Sequence, residues 1–331
     1  MAKLDIIIPV YNAERYVEQC LKSLISQSYT EWNAICIDDG STDQSGLILD
    51  KYAKSDSRIS VKHIKNSGSI KARLEGINQS NAEWIAFVDA DDTIDHLLFS
   101  ELIRLAAKYN SDIVCCEHQT MSSHGYHRPI KASLEYVEKT YSGSYIAPFF
   151  SGGTFVNCGL WGKLYKRELF KKQYEQILRI PNVFWGEYTM INSLIFEVAD
   201  LVVVTNAPLY FYRYGGGSSK NSFNRLKELA ALYNWRKKFL EKYKNPQFNK
   251  NNISQVLNAA IFYCTISTDI ISRSDACALL QEPIDDMLKI LPDYKKRDAF
   301  DPAVSMLDKD FCKLYSEKIS VRIKKLLLQL F

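Results

Sequence analysis

Three aspartates within four positions, Asp89, Asp91 and Asp92, directly follow an apolar run that begins at Trp84. The run is rich in β-branched and aromatic residues, which is typical of a buried strand in a parallel sheet. Side chains at i and i+2 of an extended chain lie on the same side, so we expect Asp89 and Asp91 to converge and Asp92 to point away. Converging carboxylates repel each other unless a cation neutralises them, and a hard divalent ion such as Mg²⁺ or Mn²⁺ suits these oxygen ligands.

A second interpretation of the same aspartates is purely structural. Aspartate is a preferred N-cap residue, and an acidic turn at this point would cap a helix that begins near Thr93. On this motif alone both interpretations stand open, and the neighbouring strand ends must decide between them.

The composition is that of a globular protein. The chain has 331 residues, of which 47% are hydrophobic and 24% are charged, as is usual for folded domains. Its net charge of +4 is too small to indicate a nucleic-acid partner. We see neither a signal peptide nor an apolar run of transmembrane length, so we expect a cytoplasmic protein.

Strand and helix patterns alternate along the first half of the chain. The predicted strands are 4–9, 32–37, 59–64, 84–89 and 112–116, and the predicted helices are 13–27, 44–54 and 69–78. Such alternation with short connections predicts a doubly wound α/β domain, in which ligands bind beyond the carboxyl ends of the strands. Polar residues follow three of these strand ends, at 9–12, 38–41 and 89–92, which favours a binding site along one edge of the sheet.

Aromatic residues mark two later segments. Trp161 stands beside Gly162, and an exposed aromatic face of this kind is a platform suited to a sugar ring. An aromatic run that includes Arg213 breaks into a glycine-rich loop, residues 215–219. This loop either closes over a bound diphosphate that pairs with Arg213, or it is a flexible linker.

Beyond residue 221 the pattern becomes helical. We predict helices at 225–243, 253–272 and 275–290, followed by an amphipathic segment, 311–331, with basic residues mostly opposite its apolar stripe. That segment is either an interfacial membrane helix attracted to anionic lipid or a last helix packed on its own domain. We therefore predict a domain of residues 1–220 and a helical region, 221–331, that makes acceptor, membrane-surface or oligomer contacts.

Four segments, taken in their order and spacing, resemble the family 2 glycosyltransferases, which are inverting enzymes of GT-A fold that build bacterial polysaccharides. They are Ile7–Glu14, Ile37–Asp43, Asn66–Gly76 and Phe87–Asp92. The resemblance covers roughly the first two thirds of the chain. It implies a GT-A domain, Rossmann-like with a mostly parallel central sheet.

The resemblance also implies a donor site. Its nucleotide pocket would be lined by Pro9, Tyr11, Glu14, Asp39 and Arg73. Asp39 would face the base of the nucleotide, and Tyr11 would pack beside it.

The Asp-Xaa-Asp motif of the family corresponds to Asp89 and Asp91. Asp91 would be the direct ligand of a divalent metal, Mn or Mg, on the donor diphosphate, and Asp89 would contribute to the same site. Arg213, with the loop that follows it, resembles the closing loop of the family.

The acceptor side of the resemblance includes one departure. Trp161 and Lys163 resemble the aromatic and basic segment of the family ahead of the acceptor site. The family usually shows Gly-Glu-Asp at the next helix start, with the Asp as general base, whereas this chain has Gly186-Glu187-Tyr188. An ordinary tyrosine, with a pKa near 10, is a poor base at neutral pH. We therefore predict Glu187 as the base and Tyr188 as an acceptor contact, although one helical position rotates a side chain by about 100°.

The implied reaction is a metal-dependent transfer of a sugar from a nucleotide sugar, first of all a UDP-sugar, to a hydroxyl of a glycan acceptor. The product would belong to a cell-surface polysaccharide or glycoconjugate. The acceptor is either lipid-linked, with the protein peripheral at the inner face of the cell membrane, or soluble, and a homo-oligomer stays open. Two rivals also stay open: a non-catalytic glycosyltransferase-like partner subunit, indicated by Tyr188, and a sugar-phosphate nucleotidyltransferase. Against the nucleotidyltransferase, this chain lacks the glycine-rich basic phosphate loop that such an enzyme would carry after its first strand.

Overall fold

The structure is a computed structural model, and it describes residues 3–122, 136–152, 158–181, 183, 186–213, 222–245, 248, 252, 282, 283 and 286. The chain divides into two compact units. The first comprises residues 1–150, 154–182 and 188–218, and the second comprises 151–153, 183–187 and 219–331.

Strands and helices alternate through the first unit. The strands are β1 (Leu4–Val10), β2 (Trp32–Asp38), β3 (Ile59–His63), β4 (Trp84–Phe87), β5 (Thr93–Ile94), β6 (Ile113–Met121), β7 (Glu138–Tyr141), β8 (Lys163–Lys166) and β9 (Val202–Arg213). The helices among the described residues are α1 (Val17–Ile25), α2 (Ser45–Ser55), α3 (Ser69–Gln79), α4 (Leu98–Tyr109), α5 (Gly143–Gly152), α6 (Arg167–Leu178), α7 (Glu187–Glu197) and α8 (Ser222–Glu241).

The described strands form one sheet in the order β3-β2-β1-β4-β8-β6-β9-β5, with β7 also paired to β9. Strands β1, β2, β3 and β4 are mutually parallel, and β6 is parallel to β9. Strand β8 runs antiparallel between β4 and β6, and β5 and β7 are antiparallel to β9. The predicted fold class, an α/β domain with a mostly parallel central sheet, is confirmed.

Strand β1 has an apolar run in which apolar and polar residues do not alternate, and the packing on its two faces explains why. Ile6 and Ile8 face the main core cluster, to which α1 contributes, while Ile7 faces the opposite side of the sheet and packs against α3. A Cβ at Gly76 of α3 would lie only 2.5 Å from Cγ2 of Ile7, so glycine lets this helix approach the strand. Because helices cover both faces, the strand is apolar from Ile6 to Val10. The buried Asp5 near its start is satisfied by the hydroxyl of Ser80 and the N–H groups of Asn81 and Ala82.

The prediction of a helix that begins near Thr93 is wrong. Thr93 and Ile94 form β5 and pair with β9, because two β-branched residues fit an extended strand better than a helix start. Helix α4 begins at Leu98, and Asp95, rather than the three aspartates, provides the helix-start contact by accepting the N–H of Leu97 at 2.9 Å. The interpretation of Asp89, Asp91 and Asp92 as a helix cap is therefore wrong.

Strand β6 is longer than the predicted strand 112–116. The polar residues 117–121 continue it because β9 provides a parallel partner as far as Arg213. The predicted helix 225–243 is confirmed as α8. The helices predicted at 253–272 and 275–290 and the amphipathic segment 311–331 lie outside the described residues, apart from isolated positions. Over the part of the chain that the structure describes, no helix is long and apolar enough to cross a membrane.

Candidate active site

The loops that follow β1 and β2 are tied to each other at the carboxyl edge of the sheet. The backbone N–H of Asn12 donates to Oγ of Ser41 at 3.1 Å, and Oδ1 of Asn12 accepts the N–H of Thr42 at 2.8 Å. Asn12 has a left-handed backbone, with φ of 49°, a conformation that asparagine tolerates better than most residues. These bonds leave Tyr11 exposed at the predicted nucleotide edge.

Glu14 and Pro9 were both predicted to line the nucleotide pocket. The carboxylate of Glu14 accepts the N–H of Gln44 at 3.0 Å, and its own N–H donates to Asp43 at 3.1 Å. Glu14 thus fastens the two loops together. Pro9 lies within β1, half-buried and in register with Ile37 of β2. Direct contact of either residue with a nucleotide stays a prediction.

Asp39 lies buried at the start of α3. One carboxylate oxygen accepts the N–H and the Oγ–H of Ser67, at 2.7 and 3.0 Å, and the other accepts the N–H of Gly68 at 2.9 Å. A carboxylate offers about four lone-pair positions, so one remains for a further donor. The amino end of α3 also favours a negative charge here. Asp39 is therefore held in place by three hydrogen bonds and can accept one more. An N–H group of the nucleotide base could donate it.

The neighbouring Asp38 is paired with a histidine, His63. One oxygen of Asp38 accepts the N–H of Ser41 at 3.0 Å, and the other lies 2.7 Å from Nδ1 of His63. Nε2 of His63 lies 3.1 Å from Asp50. The hydrogen bond to Asp38 is the main cause that raises the pKa of His63, and the bond to Asp50 adds to it, while burial opposes both.

This arrangement predicts a pH effect on stability. Because the pKa of His63 is raised on folding, its contribution is fully present below its ordinary pKa of about 6.5 and is lost as pH rises through the raised value. The side chain is 49% exposed, so the effect should be about 1 kcal/mol or less. Urea unfolding at about pH 6 and about pH 9 should show wild type losing more stability than His63→Gln. Equal losses in the two proteins would contradict the proposed charge on His63.

Asp89 is joined to α3 by an ion pair. Nη2 of the buried Arg73 donates to Oδ1 of Asp89 at 3.0 Å. Asp91 lies close by, and burial, reinforced by the charge of Asp89, raises the pKa of Asp91 to about 6, with Arg213 opposing. Arg73 pairs with Asp89, and Arg213 only partly offsets the raised pKa of Asp91, so an added cation would stabilise the charged form of both carboxylates.

The strand predicted at 84–89 ends at Phe87, and the aspartates lie in a turn in which the N–H of Asp92 donates to the carbonyl oxygen of Asp89 at 3.0 Å. The extended spacing assumed for them is therefore wrong, and Asp92 has its own set of contacts. It is buried, and it accepts the hydroxyl of Tyr210 at 2.8 Å and the N–H of Arg213 at 2.7 Å. The hydroxyl of Tyr210 in turn accepts the N–H of Asp89 at 3.1 Å. Burial, followed by the charges of Asp91 and Asp89, raises the pKa of Asp92 well above its ordinary value. Asp92 and Tyr210 therefore fix the aspartate loop to β9.

The carboxylates of Asp89 and Asp91 fit a divalent metal ion that takes only two ligands from the protein. Among the described residues, no group of three or more His, Cys, Asp or Glu side chains could hold a metal ion. Mg²⁺ is usually bound through one or two carboxylates together with substrate phosphates, and Asp89 and Asp91 meet that requirement. The metal site stays a prediction with two named ligands.

Arg213 was predicted to pair with a diphosphate. It is buried, and its guanidinium donates to the carbonyl oxygens of Asp91 (2.6 Å) and Ser122 (3.2 Å) and to Oε1 of Gln19 (2.8 Å). These bonds tie the end of β9 to the aspartate loop and to α1. Its contact with a diphosphate stays a prediction, and the glycine-rich loop, 215–219, lies outside the described residues.

On the acceptor side, Trp161 and Lys163 have different surroundings. The Trp161 ring is nearly parallel to those of Tyr210, with centroids 4.5 Å apart, and Tyr212, with centroids 5.5 Å apart. Lys163 is only 1% exposed, and Nζ donates to the carbonyl oxygen of Gly159 at 2.6 Å. Burial lowers the pKa of Lys163. Lys163 thus braces the segment before β8, and its contact with an acceptor stays a prediction.

Helix α7 holds the same segment through Asn192. Nδ2 of this buried side chain donates to the carbonyl oxygens of Cys158 (2.9 Å) and Gly159 (3.1 Å). Tyr188, which is half-buried, lies one turn earlier on the same helix face. Glu187 is the first residue of α7, is 3% exposed, and belongs to the second compact unit. Its role as the base stays a prediction.

The sequence reasoning missed Tyr210, the residue that holds Asp89 and Asp92 in place. The available signal was the spacing of Tyr210 and Tyr212, because residues i and i+2 of a strand face the same side. That signal depended on recognising that β9 extends to Arg213.

The sheet order and the acidic strand ends define an α/β protein of the GT-A class. Staphylococcus aureus TarS, residues 1–349, shares this fold with a TM-score of 0.58 and 18% identity, over 88% of this chain and 91% of that one; TarS has also been solved with UDP-GlcNAc. The mannosyltransferase PcManGT from Pyrobaculum calidifontis, solved with GDP-Man and Mn²⁺, gives a TM-score of 0.52 at 12% identity, over 92% of this chain and 86% of that one. At these identities the similarity shows the fold alone.

Residues 5–173 match the family described as glycosyl transferase family 2, and the chain belongs to this family. Glycosyltransferase GlyA of Streptococcus pneumoniae serotype 4 is 32% identical over 221 residues, which are 65% of this chain and 31% of GlyA. The uncharacterized glycosyltransferase EpsJ of Bacillus subtilis is 32% identical over 212 residues, 63% of this chain and 60% of EpsJ. The chain therefore spans less than two thirds of either relative.

Proposed function

We propose that this protein is a glycosyltransferase that moves a sugar from a nucleotide sugar, first of all a UDP-sugar, to a hydroxyl of a glycan acceptor. One observation carries the proposal. In a chain of family 2, a single edge of the sheet brings together Asp39, the Arg73–Asp89 ion pair and Asp91. The ligands of the solved GT-A neighbours, UDP-GlcNAc and GDP-Man, support a nucleotide sugar as donor.

The donor half of the site follows from these contacts. Asp39 has one lone-pair position left for a base N–H, and the ion pair with Arg73 fixes Asp89 beside Asp91. Asp89 and Asp91 would hold a Mg²⁺ or Mn²⁺ ion, which when bound supplies positive charge for the departing diphosphate. The Mn²⁺ in the PcManGT complex supports such an ion.

The acceptor half requires a base and an attack from the opposite face. The acceptor hydroxyl gives its proton to Glu187, and its oxygen forms a bond to the anomeric carbon. The bond from that carbon to the diphosphate oxygen breaks, and its electron pair leaves with the diphosphate. Because attack and departure occur on opposite faces, the configuration of the anomeric carbon inverts.

We also propose the wider setting that the sequence predicts. Residues 1–220 form the catalytic domain, and residues 221–331 contact the acceptor, the membrane surface or a second copy of the chain. The acceptor glycan belongs to a cell-surface polysaccharide or glycoconjugate, and the protein works in the cytoplasm or at the inner face of the membrane. The basic, amphipathic pattern of 311–331 supports the membrane contact.

A donor screen tests the proposal. The protein would be incubated with UDP-glucose, UDP-galactose, UDP-N-acetylglucosamine or GDP-mannose, with Mn²⁺ and a mixture of glycans. Release of nucleoside diphosphate is the expected result, whereas pyrophosphate formed from a sugar phosphate and UTP would indicate a nucleotidyltransferase. Nucleotide binding without either product would indicate a non-catalytic partner subunit.

The role of Asp39 gives a direct binding prediction. Asp39→Ala should weaken UDP binding by about tenfold or more, because it removes a charge-assisted acceptor of the base and frees the Ser67–Gly68 turn. Calorimetric titration with UDP measures the change, and Asp56→Asn, an aspartate that pairs with Arg58 at the far end of α2, is the matched control. Equal UDP affinity in wild type and Asp39→Ala would remove Asp39 from the nucleotide site.

A further inference from the structure

Three aromatic side chains meet beside the aspartate loop, and we call them the aromatic platform: His118, Trp161 and Tyr212. The ring centroid of His118 lies 5.0 Å from that of Trp161 and 6.3 Å from that of Tyr212, both edge to face. Trp161 is parallel to Tyr212. Tyr212 remains 38% exposed and the His118 side chain 33% exposed, so aromatic surface is presented to solvent.

The platform has a fixed position relative to the aspartates. Trp161 stacks on Tyr210, and the hydroxyl of Tyr210 bonds both Asp92 and the backbone of Asp89. A Cβ at Gly159 would lie 2.4 Å from Nε1 of Trp161, so the indole is also confined from the side of the preceding segment. A ligand on the platform would therefore lie next to the predicted donor diphosphate.

An irregularity in β6 orients His118. The pairing of β6 with β9 shifts register between Cys115 and Glu117 and again between Glu117 and His118. Bulges of this kind redirect side chains, and they are frequent next to active sites. Here the result is that Oε2 of Glu117 comes within 3.8 Å of Nδ1 of His118, although the two residues are consecutive.

The surroundings of His118 leave one ring nitrogen for a ligand. Nδ1 is buried without a hydrogen-bond partner among the described residues, so the exposed part of the ring is the edge that carries Nε2. Burial lowers the pKa of His118, with Lys163 acting in the same direction and Glu117 opposing, which keeps the imidazole neutral at pH 7. The nearby Glu117 carboxylate favours the proton on Nδ1, and the lone pair then resides on Nε2.

We propose that Nε2 of His118 accepts a hydrogen bond from a hydroxyl of the acceptor sugar, whose pyranose ring packs beside the predicted acceptor residue Trp161. Because Trp161 and Tyr212 stack on each other with centroids 5.5 Å apart, the sugar packs against the part of Tyr212 that remains exposed, and His118 selects which hydroxyl is presented to the donor. This inference rests on the proposed function, because it assigns the acceptor subsite of the same reaction. It adds a specificity-determining residue, His118, that no motif of the sequence indicated.

Saturation-transfer NMR with methyl β-glycosides of glucose, galactose and N-acetylglucosamine, recorded with UDP present, tests the subsite. At least one glycoside should receive saturation in wild type, and His118→Phe, which keeps the ring area but removes both nitrogens, should weaken its binding by about tenfold. Trp161→Phe should weaken it by a smaller factor because it keeps part of the stacking area. His96→Gln, which alters an exposed histidine, should leave it unchanged.

Separate readouts distinguish the two levels of the proposal. UDP affinity, measured on the same samples, should stay within about twofold in the platform variants. Loss of UDP binding in wild type would count against the proposed function, whereas glycoside binding that is absent in wild type, or equal in wild type and His118→Phe, would overturn the subsite. His118→Gln serves as a second variant if His118→Phe does not fold, and because Gln retains a polar group at the Nε2 position, it should weaken binding less.

Discussion

Replacing Asp91 by asparagine is expected to lower turnover by about 100-fold or more while leaving the folded protein at least as stable as wild type. The carboxylate of Asp91 is confined beside Asp89, and burial raises its pKa to about 6. Removing this charge relieves repulsion in the folded state, and it also removes a ligand from the predicted cation. Steady-state turnover with Mn²⁺, together with urea unfolding, measures the two effects.

A chelator provides the companion experiment. Wild-type turnover should fall with EDTA to about the level of Asp91→Asn, and the variant should lose little more, since both treatments remove the same contribution. Asp56→Asn is the matched control for the loss of an aspartate far from the site. Unchanged wild-type turnover in EDTA would reject metal dependence.

Replacing Glu187 by glutamine should lower turnover by about 100-fold to 10,000-fold, the usual contribution of a general base. The affinity for UDP should change by no more than about twofold, because none of the residues predicted to contact the nucleotide belongs to α7. Single-turnover measurements with saturating donor separate the chemical step from binding. Retained turnover in Glu187→Gln would remove Glu187 as the base.

The tyrosine at position 188 allows a complementary test. The family pattern that the sequence resembles has aspartate at this position, so Glu187→Gln combined with Tyr188→Asp should recover part of the lost turnover. Recovery would indicate that the helix start is positioned for a base at either residue. If the double variant stays inactive while UDP binding is intact, the proton acceptor lies elsewhere in the site.

Much of the donor side could be predicted from the sequence because local patterns determine it. The apolar run of β1 from Ile6 to Val10 shows that both faces are covered. The grouping of Asp89 and Asp91 was predicted from an extended chain, whereas β4 ends at Phe87 and a turn closed by the N–H of Asp92 and the carbonyl oxygen of Asp89 positions them. The covered faces of β1 and the shared edge of the strand ends need only the apolar pattern and the rule that parallel strands end at one edge.

Other features depend on partners distant in the chain. Thr93 forms a strand only because β9 passes beside it, and the irregular pairing of β6 that orients His118 exists only in the assembled sheet. The type of a residue also does not reveal whether its side chain points into the protein or toward a ligand. The resemblance predicts that Lys163 contacts an acceptor, and what the sequence could not show is that its ammonium bonds the carbonyl oxygens of Gly159 and Trp161, without which it would be an unpaired buried charge.

Strand β8 has a consequence for engineering this protein. It runs antiparallel between β4, which leads into the aspartate loop, and β6, which carries His118. Its four residues follow directly after Trp161 and Gly162, so the aromatic platform and the backbone of β8 form one continuous piece of chain. A chimera intended to exchange acceptor preference between relatives should therefore transplant residues 113–118 and 158–166 as a single block, and the nucleotide-binding loops can stay with the recipient.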